Sequence, residues 1–270
     1  MSDDFPSRSA STFWDSLDPR YQLILCDIWG VVHDGTRLYP AVPERLAQWR
    51  AQGRFIVLIT NAPRTADDVA RQLRMLGLSA DHWDAIVTSG EAGIAALAAL
   101  GEPVGFLGTA ADRAILEGRG LRIAEADFAH LACTGLDEWR AQVEQYADDL
   151  DRWAERGVVM HCLNPDRLVL RGGVAEACAG ALADLYEAKG GEVRWFGKPY
   201  PPIYEHALAL AGHRPADRVL AIGDGLRTDM LGAAAMGFDA VYVNSGVDSA
   251  LGEREWPGDW RPLAEVAGFA

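Results

Sequence analysis

The sequence predicts an α/β protein: a doubly wound, parallel-sheet (Rossmann-like) core with a smaller α/β cap domain inserted into it. Three observations carry the prediction. Short apolar runs of strand length alternate with helical patterns along the chain. Several runs are continuously apolar rather than alternating, which is how a parallel strand covered on both faces reads. The 270 residues exceed what one small domain needs and suit a core plus a second module.

The elements follow in order. Leu23 to Ile28 (LILCDI) is a short apolar strand. Pro43 stands where a helix can begin, and Glu44 to Arg50 keeps helical periodicity up to Gly53. Phe55 to Thr60 (FIVLIT) is a second continuous strand. Thr65 and Asp68 make a capping-box pattern for a helix that reaches Leu76 and stops at Gly77. Ala85 to Thr88 is a third strand, and Val219–Gly223 (VLAIG) and Ala240–Asn244 (AVYVN) repeat the pattern downstream. In the middle, strands are expected over Val104–Leu107, His130–Thr134 and Val158–Leu163. Helices are expected there over Arg113–Glu117, Leu136–Arg156 and Val174–Lys189. Boundaries near Gly90 and Gly191 assign 1–90 and 191–270 to the core and 91–190 to the cap.

Composition narrows the partners. A formal net charge of −14 disfavours nucleic acid, which needs basic surface. A small phosphorylated substrate stays compatible, because a metal ion and a few local donors outweigh a distant negative field. The cysteines, Cys26, Cys133, Cys162 and Cys178, show no CxxC spacing. Reduced, mostly buried thiols of a cytoplasmic protein are expected. No run approaches the roughly 18 apolar residues of a membrane span. The opening MSDDFPSRSASTFW is acidic and polar where a signal peptide is basic and then apolar. It reads as a loose arm, with Phe13 or Trp14 docking on the body. The apolar helix around Val174 to Leu185 has two uses open to it, core packing or a homodimer contact.

Four motifs carry chemistry. Asp27 ends an apolar strand and precedes IWGVVHDG; a reactive carboxylate and a turn aspartate before Gly30 are both open. In Ile59-Thr60-Asn61 a hydroxyl and an amide at a strand end either hold phosphate oxygens, with the N–H groups of the turn, or cap a loop. Gly197-Lys198-Pro199 restrains a lysine whose charge either neutralises phosphate or faces solvent. Val219 to Asp229 (VLAIGDGLRTD) is the strongest. An apolar strand enters Gly-Asp-Gly, then Arg227, Thr228 and Asp229 at a helix start. Asp224 and Asp229 offer oxygens suited to Mg2+, with an N-cap role as the alternative for Asp229. Asp27, Thr60 with Asn61, and Asp224 each close a predicted strand. Three strands therefore deliver polar groups to one rim, where ligands bind in such sheets.

In this order the motifs resemble the haloacid dehalogenase superfamily, most closely its class IIA branch, the NagD-like phosphatases with a C2-type cap. The resemblance runs from Leu23 to Val247 and takes in Asn164-Pro165-Asp166 and Gly246 of VNSGV. It implies a Mg2+-dependent hydrolase of a small phosphorylated metabolite. Asp27 would be the nucleophile that forms an aspartyl-phosphate. Thr60 and the backbone N–H of Asn61 would hold the phosphoryl group, and Lys198 would neutralise its charge. Asp27, Asp224 and the backbone carbonyl of Trp29 would ligate Mg2+, with Asp229 as ligand or support. Asn164, Asp166 and Arg167 would contact the leaving group, with helix capping as the alternative for Asp166. Asp27, Thr60, Lys198 and Asp224 are expected to converge on one pocket.

One position departs from the family. Its second aspartate, two residues after the nucleophile, is Trp29 here. That aspartate protonates the leaving oxygen and later activates water, and indole does neither. Acid–base help of this kind contributes about 10²–10⁴-fold. His33 and Asp34 are the nearest substitutes. Haloacid dehalogenases proper also carry an aromatic residue at this position and need no metal, but the intact GDGLRTD speaks against that chemistry. The alternative that Trp29 keeps open is a phosphometabolite-binding protein of the same fold, weak or inactive as a catalyst.

Overall fold

The computed structural model describes residues 10–171, 174–244 and 256–270. Gly246 of the family pattern lies outside the described residues. The chain opens with α1 (Ala10–Asp15), β1 (Leu23–Asp27), α2 (Val42–Ala51), β2 (Phe55–Thr60), α3 (Ala66–Met75), β3 (Ala85–Thr88) and α4 (Ser89–Ala98). There follow β4 (Gly105–Leu107), α5 (Ala110–Gly118), β5 (His130–Cys133), α6 (Ala147–Glu155), β6 (Val159–Cys162), β7 (Leu168–Arg171), β8 (Val174–Ala177), α7 (Ala179–Ala188) and β9 (Glu192–Trp195). The chain continues through α8 (Pro201–Leu210), β10 (Val219–Gly223), α9 (Leu231–Met236), β11 (Asp239–Val243) and β12 (Ala264–Val266). Two compact units result: Met1–Thr60, Ala70–Val87 and Tyr204–Ala270 form one, Asn61–Val69 and Thr88–Ile203 the other. The sequence boundaries stood at 90 and 191; the second unit also takes in Asn61–Val69 and runs on to Ile203.

The first unit holds a six-stranded sheet in the order β12-β11-β10-β1-β2-β3. β1 lies between β2 and β10, parallel to both, with Leu23 opposite Phe55 and Val219. Every residue of β1 and of β10 is buried, as their unbroken apolar runs require of central strands. The chain leaves β1 toward β2 on one side and returns to β10 on the other. The order therefore switches at the β1/β10 pair, where α/β sheets open a crevice beyond the strand ends. The arm expected to be loose is a helix from Ala10 on. Trp14 is buried, its indole donates to the Gly268 carbonyl at 2.8 Å, and its ring meets Trp49 and Phe269.

The second unit holds a four-stranded sheet, β4-β5-β6-β9, whose neighbours all pair in parallel, and the antiparallel pair β7-β8. Its main core joins Leu131, Met160, Leu182 and Tyr186, among others. The four cysteines are buried and form no disulfide. No helix among the described residues is long and apolar enough to cross a membrane.

Two expected helices are corrected. Leu136–Arg156 is helical only over Ala147–Glu155, after a short 3-10 turn at Val143–Tyr146. Upstream, the Asp137 carboxylate accepts from the N–H groups of Trp139 and Arg140, a local bond that competes with helix. Val174–Lys189 is a strand to Ala177 and a helix only from Ala179 to Ala188. Gly172-Gly173 between two apolar runs is a hairpin signal that outweighs the helical period. The apolar face of α7 packs into its own unit, through Ala179, Leu182, Ala183 and Tyr186.

Candidate active site

The rim of the six-stranded sheet gathers acids. β1 ends on Asp27, and Asp224 follows the last residue of β10. Asp27 lies opposite Ile59, so Thr60, the last residue of β2, belongs to the same edge. Asp27, Thr60, Asp224 and Asp229 are all buried. Asp27, Asp224 and Asp229 bring carboxylate oxygens within 4.8 Å of one another. Three like charges this close in a poorly solvated place repel strongly. A divalent cation that prefers oxygen ligands relieves that repulsion, and the donor set suits Mg2+.

Glycines shape this cluster. Gly30 has φ +78°, and a Cβ there would stand 2.0 Å from Asp224 Oδ2. Only glycine both takes that left-handed backbone cheaply and leaves room for the carboxylate. A Cβ on Gly223 would stand 2.1 Å from Asp229 Cγ, so the end of β10 is bare where Asp229 lies on it. Asp229 sits inside a π-helical turn, Leu226–Met230, rather than capping a helix start from outside. Its Oδ2 accepts from the Gly225 N–H at 3.2 Å and the Thr228 hydroxyl at 3.3 Å.

The loop after β1 folds back as a flap. Tyr39 N–H donates to the Val32 carbonyl, and His33 pairs with Leu38. The indole of Trp29 lies on Gly35, where a Cβ would come within 2.5 Å of Cη2. Trp29 also meets the His33 ring edge to face at 4.9 Å. His33 is buried and its Nδ1 accepts from the Gly35 N–H at 2.9 Å. Burial pushes its imidazole down to about 4, against the opposing charge of Asp34. The Thr36 hydroxyl, then the N–H groups of Thr36 and Arg37, hold the Asp34 carboxyl well below the usual carboxylate range, against some desolvation. Burial, then the charges of Asp34 and Asp224, push the Tyr39 phenol up.

The second unit gathers Asn61, Asp166 and Lys198. The Asn61 amide donates to Asp166 Oδ1 at 2.7 Å and to the Lys198 carbonyl at 3.1 Å. Its Oδ1 accepts from the Lys198 N–H at 2.7 Å. Asn61 thus clamps the Gly197-Lys198 turn with its side chain. Lys198 is itself buried. Asn164 accepts from the Asp166 N–H, and Arg167 makes a two-point contact with Asp184. The Asp166 side chain goes to Asn61, while its carbonyl receives the Gly180 N–H at the start of α7.

Sequence reasoning passed over Ser89, Gly30 and Tyr39. Ser89 is fully buried, and its hydroxyl lies 2.7 Å from the Asn61 carbonyl and 2.5 Å from that of Leu163. A lone serine after a strand gives no sign of this. Gly30 was readable as a turn, but not as the floor beneath Asp224.

Known proteins are similar to this chain in sequence and fold. A haloacid dehalogenase-like hydrolase family model matches residues 24–122, and a HAD-hydrolase-like model matches 195–263. A solved haloacid dehalogenase-like hydrolase from Brucella suis 1330 is 35% identical, with a TM-score of 0.84, over 95% of this chain and 98% of that one. The D-glycerol 3-phosphate phosphatase of Mycobacterium tuberculosis is 31% identical over 87% of this chain, which spans 66% of that protein. A solved glycerol phosphate phosphatase from that organism, in complex with magnesium, is 26% identical with a TM-score of 0.69, over 96% of this chain and 76% of that one. The ribonucleotide monophosphatase NagD of Escherichia coli is 26% identical over 84% of this chain and 88% of its own.

Proposed function

The chain belongs to the haloacid dehalogenase-like hydrolases, in their NagD-like class IIA branch of phosphatases, and from that premise we propose that it hydrolyses a small phosphorylated metabolite with Mg2+ through an aspartyl-phosphate on Asp27. The observation that carries the reading is the cluster of Asp27, Asp224 and Asp229 at the switch point of the sheet.

The roles follow from chemistry. An Asp27 oxygen attacks phosphorus and the bond to the leaving oxygen breaks; water then cleaves the aspartyl-phosphate and frees phosphate. The Thr60 hydroxyl and the Asn61 N–H orient the phosphoryl group, and Lys198 offsets its negative charge. Asp27, Asp224 and the backbone carbonyl of Trp29 would hold Mg2+, with Asp229 as a further ligand or support. The ion supplies positive charge that lets two anions, carboxylate and phosphate, approach each other. Trp29 takes the place of the usual acid–base aspartate.

Release of p-nitrophenol from its phosphate ester tests the reading. Turnover is expected with Mg2+, and neither in EDTA nor in Asp27→Asn. Activity that survives either change overturns it. Phosphate binding without any release would instead identify a binding protein.

A further inference from the structure

Resting on that reading of the Asp27 site, we propose that Trp29 restricts the enzyme to phosphates whose leaving group departs unprotonated, namely acyl phosphates and aryl phosphates, and against alkyl phosphate esters.

Trp29 opens the flap that follows Asp27, and the carboxylate, the threonine hydroxyl and the imidazole of that flap are engaged. Residues 28–39 contain one carboxylate, Asp34. Its Oδ1 accepts from the Thr36 N–H at 2.9 Å, the Thr36 hydroxyl at 2.6 Å and the Arg37 N–H at 2.9 Å, and its Oδ2 accepts from the Arg37 guanidinium. A carboxylate with four donors on it is stabilised as the anion and has no proton to give. The Thr36 hydroxyl spends its proton on Asp34. His33 is 1% exposed and turns Nδ1 to the Gly35 N–H. Its remaining proton is on Nε2 of a neutral ring, a hydrogen-bond donor but not an acid. Trp29 itself lies on Gly35 and against His33, so the indole holds the flap in the shape that engages the others.

The balance of each step sets the substrate class. Asp27 attack forms one O–P bond and breaks another, and the leaving oxygen takes the electron pair. A carboxylate or a nitrophenolate carries that pair as a stable anion. An alkoxide must gain a proton as it forms, and neither Asp34, Thr36 nor His33 supplies one. In the second step water forms the new P–O bond, the aspartyl O–P bond breaks, and the water's protons stay on the released phosphate or pass to solvent. No protein acid is needed there.

The test is a leaving-group series on the unmodified protein with Mg2+: acetyl phosphate, aryl phosphates of graded phenol pKa, and glycerol 3-phosphate. The logarithm of kcat/KM should fall steeply with rising leaving-group pKa. The glycerol ester should lie about 10²-fold or more below acetyl phosphate. Trp29→Asp should raise the rate on the alkyl ester more than on the aryl esters; should that variant not fold, the series on the parent decides alone. A flat series, or alkyl turnover that disappears in Tyr39→Phe, overturns the inference, the second by identifying Tyr39 as the missing donor. Either result leaves the phosphatase reading standing. No release from any member, with no phosphate retained on Asp27, sinks both.

Discussion

At the rim of the six-stranded sheet, Asp27, Asp224 and Asp229 set three acid groups within 4.8 Å of one another. In the second unit, Asn61, Asp166 and the Lys198 backbone complete one another through three hydrogen bonds of 2.7 to 3.1 Å. The first cluster sets three carboxylates side by side, while the second joins an amide to a carboxylate and a backbone turn. Carboxylate oxygens held this close can share a divalent cation, so the rim has the character of a ligand site. A matched network rigidifies whatever it holds, so the Asn61 network has the character of a brace for the Gly197-Lys198 turn.

The largest effect that could break this contrast is at the rim. Asp27→Asn removes the nucleophile and one of the three charges together. Turnover should fall by at least about 10³-fold. The melting temperature without Mg2+ should hold steady or rise, and the stabilisation by added Mg2+ should shrink. A variant that melts lower in Mg2+-free buffer would show that the acids are not in conflict.

Gly30→Ala is the next step down. The new methyl would stand 2.0 Å from Asp224 Oδ2 at a φ of +78°. The backbone term alone costs about 1 kcal/mol, and the displaced carboxylate should cost activity by about 10²-fold. A Mg2+ titration followed by melting temperature separates the two: weaker Mg2+ response is expected together with lower stability. Normal Mg2+ response would mean that the flap, not Asp224, gives way.

The brace should fail in the opposite manner. Asn61→Ala leaves the Lys198 N–H and Asp166 Oδ1 without their Asn61 partner, a loss of about 2–4 kcal/mol by urea unfolding. The Mg2+-induced rise in melting temperature should persist, because no rim carboxylate is touched. Loss of that rise would show that the two clusters do not act separately.

Legibility divides along the same line. Phe55–Thr60 and Val219–Gly223 fold over the residues that the sequence marked, because a buried central strand writes its burial directly into an apolar run. The polar residue that ends each run then declares the rim. The brace left no such trace. Asn61 meets Asp166 across 105 positions and Lys198 across 137, and no local pattern encodes a pairing that distant. Asp166 was readable as a cap or a contact, but not as the acceptor for Asn61. The β7-β8 hairpin was missed for another reason: Val174–Ala177 is mostly exposed, so burial could not separate strand from helix.

The smallest expected effect is a pH dependence in the second unit. His161, in the middle of its sheet, is 1% exposed and stacks on Phe196 at 5.8 Å. Its Nε2 meets His130 Nδ1 at 3.2 Å, and its Nδ1 has no partner among the described residues. Burial first, then the neighbouring charges of His130 and Arg194, push its imidazole down to about 4. The unfolded chain takes up this proton near the ordinary value of about 6.5, and the folded chain resists it down to about 4. Between those values the unfolded state binds more protons, so stability rises with pH across the window and is lost as pH falls through it. The contribution is on the order of 2 kcal/mol above the window. His33, pushed down to about 4 by its own burial, adds a loss of the same sign. His161→Phe keeps a ring against Phe196 and has nothing to protonate. Its melting temperature should therefore fall less than that of the parent between pH 7 and pH 5, leaving the share due to His33. Equal slopes in the two proteins would mean that the His161 proton is accommodated in the fold, with His130 or solvent taking up the charge.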